Sequence, residues 1–406
     1  MDLTRAAKLQ IIVIAIAQAL AMGLWFAASA VAPQLSREWG LTEAAQSWLT
    51  ISIQLGFVAG ALISAALNLA DRYPAQYLSA AAAALAALVN ALIPYLDIEI
   101  TGLILSRALV GACLACVYPP GMKLVASWSI KRRGLVIGIL VGALTAGTAL
   151  PHLINALPLF SDSAGLGMPP WRETLVVSSA LAALGAFLLY RFTGPGPHLS
   201  ESAPFNWRVI PRVFAHRPTL LANFGYLGHM WELYAVWTWA PLFLLTVYSD
   251  HGWSAQAARV AGFVTVAIGA LGCIWAGKLA DALGRERVTI WSMLISGACC
   301  LCAGFLTQSP ALLTALCLIW GFAVVADSAQ FSALVSELFD QRYVGSALTL
   351  QTSLGFLLTA VTIRVVPIVV EHVGWSYAFI FLAPGPLFGI FSMWRLSRLR
   401  RAASNT

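Results

Sequence analysis

The chain has 406 residues, of which 60% are hydrophobic and only 10% charged, with a formal net charge of +7 and a mean hydropathy of +0.81. A soluble domain is usually about 45–50% apolar and about 25% charged, so a soluble globular protein is excluded and the bilayer must serve as solvent for much of the chain. The basic residues sit in short clusters between apolar runs, a pattern of membrane orientation rather than of nucleic-acid binding.

The first apolar run, residues 9–32, follows Arg5 and Lys8. It is too long for a signal-peptide core and fits a retained spanning helix of about 20 residues. Runs of spanning length follow at 44–69, 76–96, 100–122, 134–158 and 173–192, then at 218–247, 258–280, 288–308, 311–334, 343–369 and 375–396. With the N-terminus inside, 19 of the 24 Lys and Arg residues fall on the inner side. Arg37, Arg172, Arg259 and Arg364 fall outside, and Arg107 lies within the fourth helix. One missed helix would invert every later loop, so the charge split supports the count of twelve with both termini inside. The seven cysteines all lie in apolar runs, so neither a disulfide framework nor a metal site is implied.

Residues 193–217 form a linker between an N-terminal bundle, 1–192, and a C-terminal bundle, 218–406. Thr193-Gly194-Pro195-Gly196-Pro197 cannot continue a helix. Trp207, Ile210 and Phe214 alternate with Arg208 and Arg212. That spacing suits either a short amphipathic segment on the inner membrane face or an unstructured basic loop. Asp71 and Asp281 are 210 residues apart in similar contexts, as are Gly111 and Gly321. A constant offset joining helices 2–4 to helices 8–10 implies two six-helix units in one orientation, a parallel repeat about the membrane normal. The fold class expected is therefore an all-α membrane protein.

The loop after helix 8 reads Gly277-Lys278-Leu279-Ala280-Asp281-Ala282-Leu283-Gly284-Arg285-Glu286-Arg287. It resembles the loop signature of the major facilitator superfamily. Its copy after helix 2, Asn68-Leu69-Ala70-Asp71-Arg72-Tyr73-Pro74, keeps the acid and one base but neither glycine. Arg107-Ala108-Leu109-Val110-Gly111 is similar to the family's helix 4 motif, and Gly138, Gly142, Gly147 and Pro151 to a loose version of the glycine-rich helix 5 of its exporters. Gly228-His229-Met230-Trp231-Glu232-Leu233-Tyr234 resembles a bacterial subgroup of the family. The resemblance implies two six-helix bundles rocking about a midplane site, with Asp71, Arg72, Gly277, Asp281, Gly284, Arg285 and Arg287 as a cytoplasmic gating latch. It weakly implies export across a bacterial inner membrane.

Ionisable groups within spans cost roughly 2.5–3.5 kcal/mol on insertion scales and are functional candidates by default. Arg107, His152, His229 and Glu232 can share one depth in the outer half of a cavity. The residues then suggest Glu232 as proton carrier, His229 as the partner that tunes it, and Arg107 either as its ion pair or as the receiver of an anion. Asp327, with Gln330 one turn later, is a polar site in helix 10 and joins Glu232, His229 and Arg107 as a proton-coupling candidate. Trp25, Tyr118, His152, Trp231, Tyr234, Trp237, Gln330 and Gln351 are candidate wall residues for an amphipathic or organic solute.

These features point to a secondary transporter acting as a monomer, with a small-molecule substrate, protons and lipid as its partners and no cofactor. A uniporter and an anion or nutrient uptake carrier are alternatives, and a transporter-derived sensor is the alternative of another class. No enzyme motif and no ATP-binding G-x-x-x-x-G-K-[ST] is present.

Overall fold

The computed structural model describes residues 4–96, 99–129, 132–157, 171–199 and 205–404, and within these the side chains of 43, 44, 71, 133, 341, 403 and 404 lie outside the described set. Among the described residues, twelve long helices cross the molecule. α1 is Arg5–Met22, continued by short pieces at Ala27–Ala30 and Ala32–Trp39. α2 is Glu43–Ala66, α3 Ala75–Tyr95, α4 Ile100–Ala126, α5 Arg133–Ala156 and α6 Trp171–Phe192. α7 is Arg217–Asp250, and α8 Ala255–Leu283, α9 Arg285–Leu306, α10 Pro310–Leu338, α11 Val344–Val373 and α12 Trp375–Ala402 complete the set. Eleven of them are long and apolar enough to span on those grounds alone. α7 is the twelfth: its 34 residues reach about 51 Å at 1.5 Å per residue, and it carries Arg217, Glu232 and Asp250.

The repeat survives at the level of helix ends. α3 and α9 start at Ala75 and Arg285, and α4 and α10 at Ile100 and Pro310, each pair 210 apart. Both fourth helices are interrupted at matching places, residues 115–117 and 325–327. The two matched glycines do one job. A Cβ on Gly111 would run into the Ile53 carbonyl, and one on Gly321 into the Thr265 carbonyl, so each half needs a bare backbone where its fourth helix crosses its second.

The halves differ at their first helices. α7 is continuous, whereas α1 loses its helical ladder over Gly23–Phe26. The apolar pattern of 9–32 gave no sign of that break, because Gly23-Leu24-Trp25-Phe26 is as apolar as its flanks. In the degraded loop copy, Asn68 takes a left-handed backbone, φ 55°, which Asn tolerates better than most residues. A short helix, Leu69–Arg72, then carries Asp71, whose side chain lies outside the described set, and the exposed Arg72.

The linker holds a short helix, Ile210–Ala215. It is amphipathic, with Val209 and Val213 toward the protein and Trp207 and Phe214 facing outward. The Asn206 N–H donates to Ser346 Oγ at 3.0 Å, which ties it to α11.

The two bundles meet along α5–α8 and α2–α11. On the inner side Asp281 approaches the start of α5, where a Cβ on Gly134 would fall 2.8 Å from Asp281 Oδ1. A carboxylate at a helix N-terminus is favoured by the helix dipole, so this contact joins the inner ends of the two halves and is the candidate for the expected latch. Arg285 completes the latch within the second half, donating to Glu337 Oε1 and Gln330 Oε1, each at 2.7 Å. Gly134→Leu is expected to push Asp281 away and open the inner side. Spin labels on the inner ends of α5 and α8 should move apart, and an unchanged distance would contradict this role for the latch.

Candidate functional site

The outer side carries a narrow cleft between the halves. Gln34, Thr50, His152 and Asn155 line it from the first half, and Thr238 and Arg259 from the second. Asn155 is fully engaged, donating to Ala30 O at 2.8 Å and accepting from Gln34 Nε2 at 3.3 Å. His152 Nε2 is buried with no partner among the described residues. Beyond the cleft, Glu38 accepts from Arg172 Nη2 at 2.7 Å and from Trp171 Nε1 at 2.5 Å. Partial burial pushes the Glu38 carboxyl up, but the bonds from Arg172 and Trp171 outweigh that and hold it below the usual carboxylate range.

Below the cleft an aromatic cluster closes the path. Trp25 lies 5.3 Å from Phe57, 5.7 Å from Tyr234 and 5.4 Å from Phe356 between ring centroids. Phe57 and Phe356 are 4.8 Å apart across the halves, and Phe26 and Trp237 6.3 Å. One helical turn outward, Thr359 Oγ1 donates to Gln54 Oε1, again across the halves. Trp25 Nε1, Trp237 Nε1 and both amide atoms of Gln351 are buried and unpartnered among the described residues. Tyr118, half-buried, stands just past the break in α4. Of the predicted wall residues, Trp25, Tyr234 and Trp237 therefore come together, and His152 lines the cleft above them.

Others do not join that group. Trp231 Nε1 donates to Phe381 O at 3.3 Å, with ring centroids 5.2 Å apart, so it packs α7 against the stretch opening α12. Gln330 accepts from Arg285 and so belongs to the inner latch.

Arg107 is corrected most sharply. It is fully buried and pairs with no carboxylate among the described residues. Its guanidinium donates to the carbonyls of Leu24 at 2.9 Å, Trp25, and Leu49 at 3.4 Å, and to Asn90 Oδ1 at 3.4 Å. The planar fork satisfies the carbonyls freed where α1 breaks, which leaves it neither paired with Glu232 nor facing the cleft.

Glu232 also has its own partners: Trp320 Nε1 at 2.5 Å and Cys300 Sγ at 3.2 Å on Oε1, and Ser296 Oγ at 3.0 Å on Oε2. All belong to α9 and α10, so Glu232 points into the second bundle. His229 does not partner it. One turn earlier on α7, His229 Nδ1 lies 2.9 Å from Asp327 Oδ1, with both side chains buried. Four groups at one depth in a shared cavity are thus resolved into one cleft residue, His152, and three separate buried clusters.

The His229–Asp327 contact sits at the break in α10. Asp327 is the N-cap residue of Ser328–Leu338, yet its side chain makes no capping bond, although Asp is among the best N-cap residues. Its carboxylate is turned to His229 instead. Neither carboxylate oxygen of Asp327 nor His229 Nε2 makes a hydrogen bond among the described residues, so the 2.9 Å approach is a close acid–base contact rather than an aligned hydrogen bond. At the matching break in α4 the first half uses neutral chemistry, with Gln18 Nε2 and Ser79 Oγ donating to Val117 O at 2.9 and 3.4 Å. A neutral amide therefore suffices to hold such a break together. The His–Asp pair is ionisable where the repeat does not require it.

Two bundles in one orientation, an inner latch, an outer cleft and a cross-half aromatic plug define a membrane transporter. The Major Facilitator Superfamily profile matches residues 14–274 and again 224–406, and the chain belongs to that superfamily. The hexuronate transporter of Escherichia coli K12 is 24% identical over 327 residues, covering 72% of each chain. The 4-hydroxybenzoate transporter PcaK of Pseudomonas aeruginosa is 23% identical over 338 residues, covering 76% of this chain and 74% of its own. Among solved structures, the proton:xylose symporter XylE superposes with a TM-score of 0.73 at 15% identity over 96% of both chains.

Sequence reasoning missed Phe57 and Phe356, which are ordinary apolar residues in apolar runs. Gln54 and Thr359 left a signal, as polar side chains on facing helices. Arg259 was counted only as an outer-side charge.

Proposed function

We propose that the chain is a proton-coupled carrier of a small organic solute, working as a single subunit in a bacterial inner membrane by rocking 1–192 against 218–406. The observation that carries this reading is the buried His229–Asp327 pair at the α10 break, ionisable where the repeat uses an amide. Histidine is the side chain whose ordinary titration falls between pH 5 and 8, and a buried acid–base pair is neutral overall when it holds one proton and is left with the aspartate charge when it gives that proton up, which ties proton loss to a change in its surroundings.

Solute enters by the outer cleft, reaches the Trp25–Tyr234–Trp237 cluster and meets the unpartnered amide of Gln351 beneath it. The aromatic walls suit a solute with an apolar or planar body. The relatives named for hexuronate and 4-hydroxybenzoate, both small organic acids, support a solute of that size. Direction follows the combined gradients. Export rests on the resemblance of the α5 glycines, and Gly138 and Gly142 face the backbone of α8 at Cys273 and Ala270, a packing role in any direction of transport.

The test is solute-driven proton movement in proteoliposomes. Adding D-glucuronate or 4-hydroxybenzoate outside is expected to alkalinise the outer medium as protons enter with solute. Solute exchange with no proton movement would leave a uniporter and overturn the coupling.

A further inference from the structure

Away from the cleft and the plug, the inner ends of α9 and α12 form an open basic pocket. The two helices run side by side. A Cβ on Gly297 would fall 3.1 Å from Pro386 Cβ, and one on Gly389 would meet Met293 Sδ. At their inner ends Arg400 Nη1 donates to Glu286 Oε1 at 2.7 Å. Arg285, Arg287, Arg400, Asp281, Glu286 and Glu337 are among the pocket's lining. Its acids are committed: Glu286 to Arg400, Glu337 to Arg285, and Asp281 toward the start of α5. Arg287 is exposed and pairs with no carboxylate among the described residues.

Toward the membrane centre both helices expose an apolar face, Trp291 and Leu294 on α9 and Leu387 and Trp394 on α12. Arg287 stands one turn inward of Trp291. Arg398, also exposed, stands one turn inward of Trp394, with its guanidinium 3.9 Å from the ring centroid. Each helix therefore carries an arginine at the inner end of a tryptophan-bearing lipid face. The first half does not repeat this. The residue 210 before Arg287 is Tyr77, and at the corresponding α3–α6 seam it meets Tyr190, with ring centroids 5.6 Å apart. A neutral aromatic contact serves there, so packing alone does not call for the arginines.

We infer that the inner end of the α9–α12 seam is a binding site for an anionic phospholipid of the inner leaflet, with its phosphate on Arg287 and Arg398 and its chains on the Trp291–Leu294 and Leu387–Trp394 surface. A phosphodiester accepts charge-assisted bonds from guanidinium groups, whose planar fork matches its oxygens. Tryptophans at headgroup depth fix the height at which the lipid sits. A zwitterionic lipid brings a cation that the arginines repel. Free phosphate gains the charge contacts but none of the apolar ones.

Native mass spectrometry and thermal unfolding of the purified full chain test this with three probes: phosphatidylglycerol, phosphatidylcholine and inorganic phosphate. Phosphatidylglycerol is expected to stay bound and to raise the unfolding temperature, and the other two to do neither. Arg287→Gln and Arg398→Gln should each weaken phosphatidylglycerol about fivefold, the worth of one arginine near an anionic membrane surface. Arg208→Gln removes an exposed charge of the linker and should leave binding unchanged. Equal binding of phosphatidylcholine, or equal stabilisation by inorganic phosphate, would overturn the site. So would a loss of the same size in Arg208→Gln, which would reduce the effect to general attraction toward a positive inner face. If Arg287→Gln does not fold, Arg398→Gln on the exposed face of α12 decides it, and unchanged affinity there overturns it.

Discussion

Asp327→Asn is expected to abolish accumulation driven by a pH gradient while leaving solute exchange at equal pH in place. The pair it breaks lies 2.9 Å apart and buried. Asparagine keeps the size and an acceptor for His229 but cannot carry a proton between pH 5 and 8. A gradient of two pH units is worth about 2.7 kcal/mol per proton, or about a hundredfold accumulation at one proton per solute. The variant should therefore fall from about a hundredfold to no accumulation, with counterflow reduced far less. The preserved exchange separates lost coupling from a lost fold. His229→Gln should do the same, because it removes the other member of the pair. Glu232→Gln should not, since Glu232 is held by Trp320, Ser296 and Cys300 inside the second bundle. Full accumulation by Asp327→Asn would remove the pair from the mechanism, and loss of accumulation only in Glu232→Gln would return the role to the residue that stood out first in the sequence.

The second large effect concerns stability. Arg107→Met is expected to destabilise the chain by about 3–5 kcal/mol, the range seen when a buried charged group is removed from partners that depend on it. The methionine fills similar space but leaves the Trp25 carbonyl and Asn90 Oδ1 without this donor, while the Leu24 carbonyl keeps only the 3.4 Å bond from Ala27 N and the Leu49 carbonyl stays within the α2 helix. Each buried acceptor left unmade costs about 1–3 kcal/mol. Arg107→Lys should recover only part, because an ammonium cannot reach three carbonyls in one plane. The second half explains why the arginine is needed. There the first helix, α7, is unbroken, and the positions matching Arg107 and Asn90 are Cys317 and Cys300. Thermal unfolding in detergent measures the difference, and a Met variant as stable as the natural chain would contradict the assignment.

Much of the architecture was legible because it is written in quantities that survive without an alignment. Apolar run length set the helix count, the Lys and Arg split set the orientation, and one offset of 210 joined two loops and two glycines. The approach of Asp281 and Arg285 to the inner ends of neighbouring helices was legible only as a loop pattern, since the two occupy a recognisable loop. The site was less so. Depth along a helix is readable from sequence, but the direction a side chain faces is not, and α7 is apolar or aromatic nearly all round. His229 and Glu232, one turn apart, therefore looked like partners, while the fold sends one to α10's break and the other to α9. The break in α1, invisible in an apolar run, decided the fate of Arg107. Asp327 lay in the right helix, and only the fold could show that it declines the cap its position offers.

Alternating access is the central claim, and two cysteine reporters on opposite sides of the plug test it most directly. Cys273 is fully buried at the α5–α8 seam on the inner side, its thiol donating to Val325 O at 3.4 Å, and the other six cysteines can be replaced around it. Ser29→Cys places the second reporter in the outer cleft. At rest, Cys273 should label slowly from the inner side and the cleft reporter readily from outside. During exchange of 4-hydroxybenzoate or D-glucuronate, labelling of Cys273 should speed up while labelling of the cleft reporter slows. Rates that move together, or that do not move at all, would contradict the account.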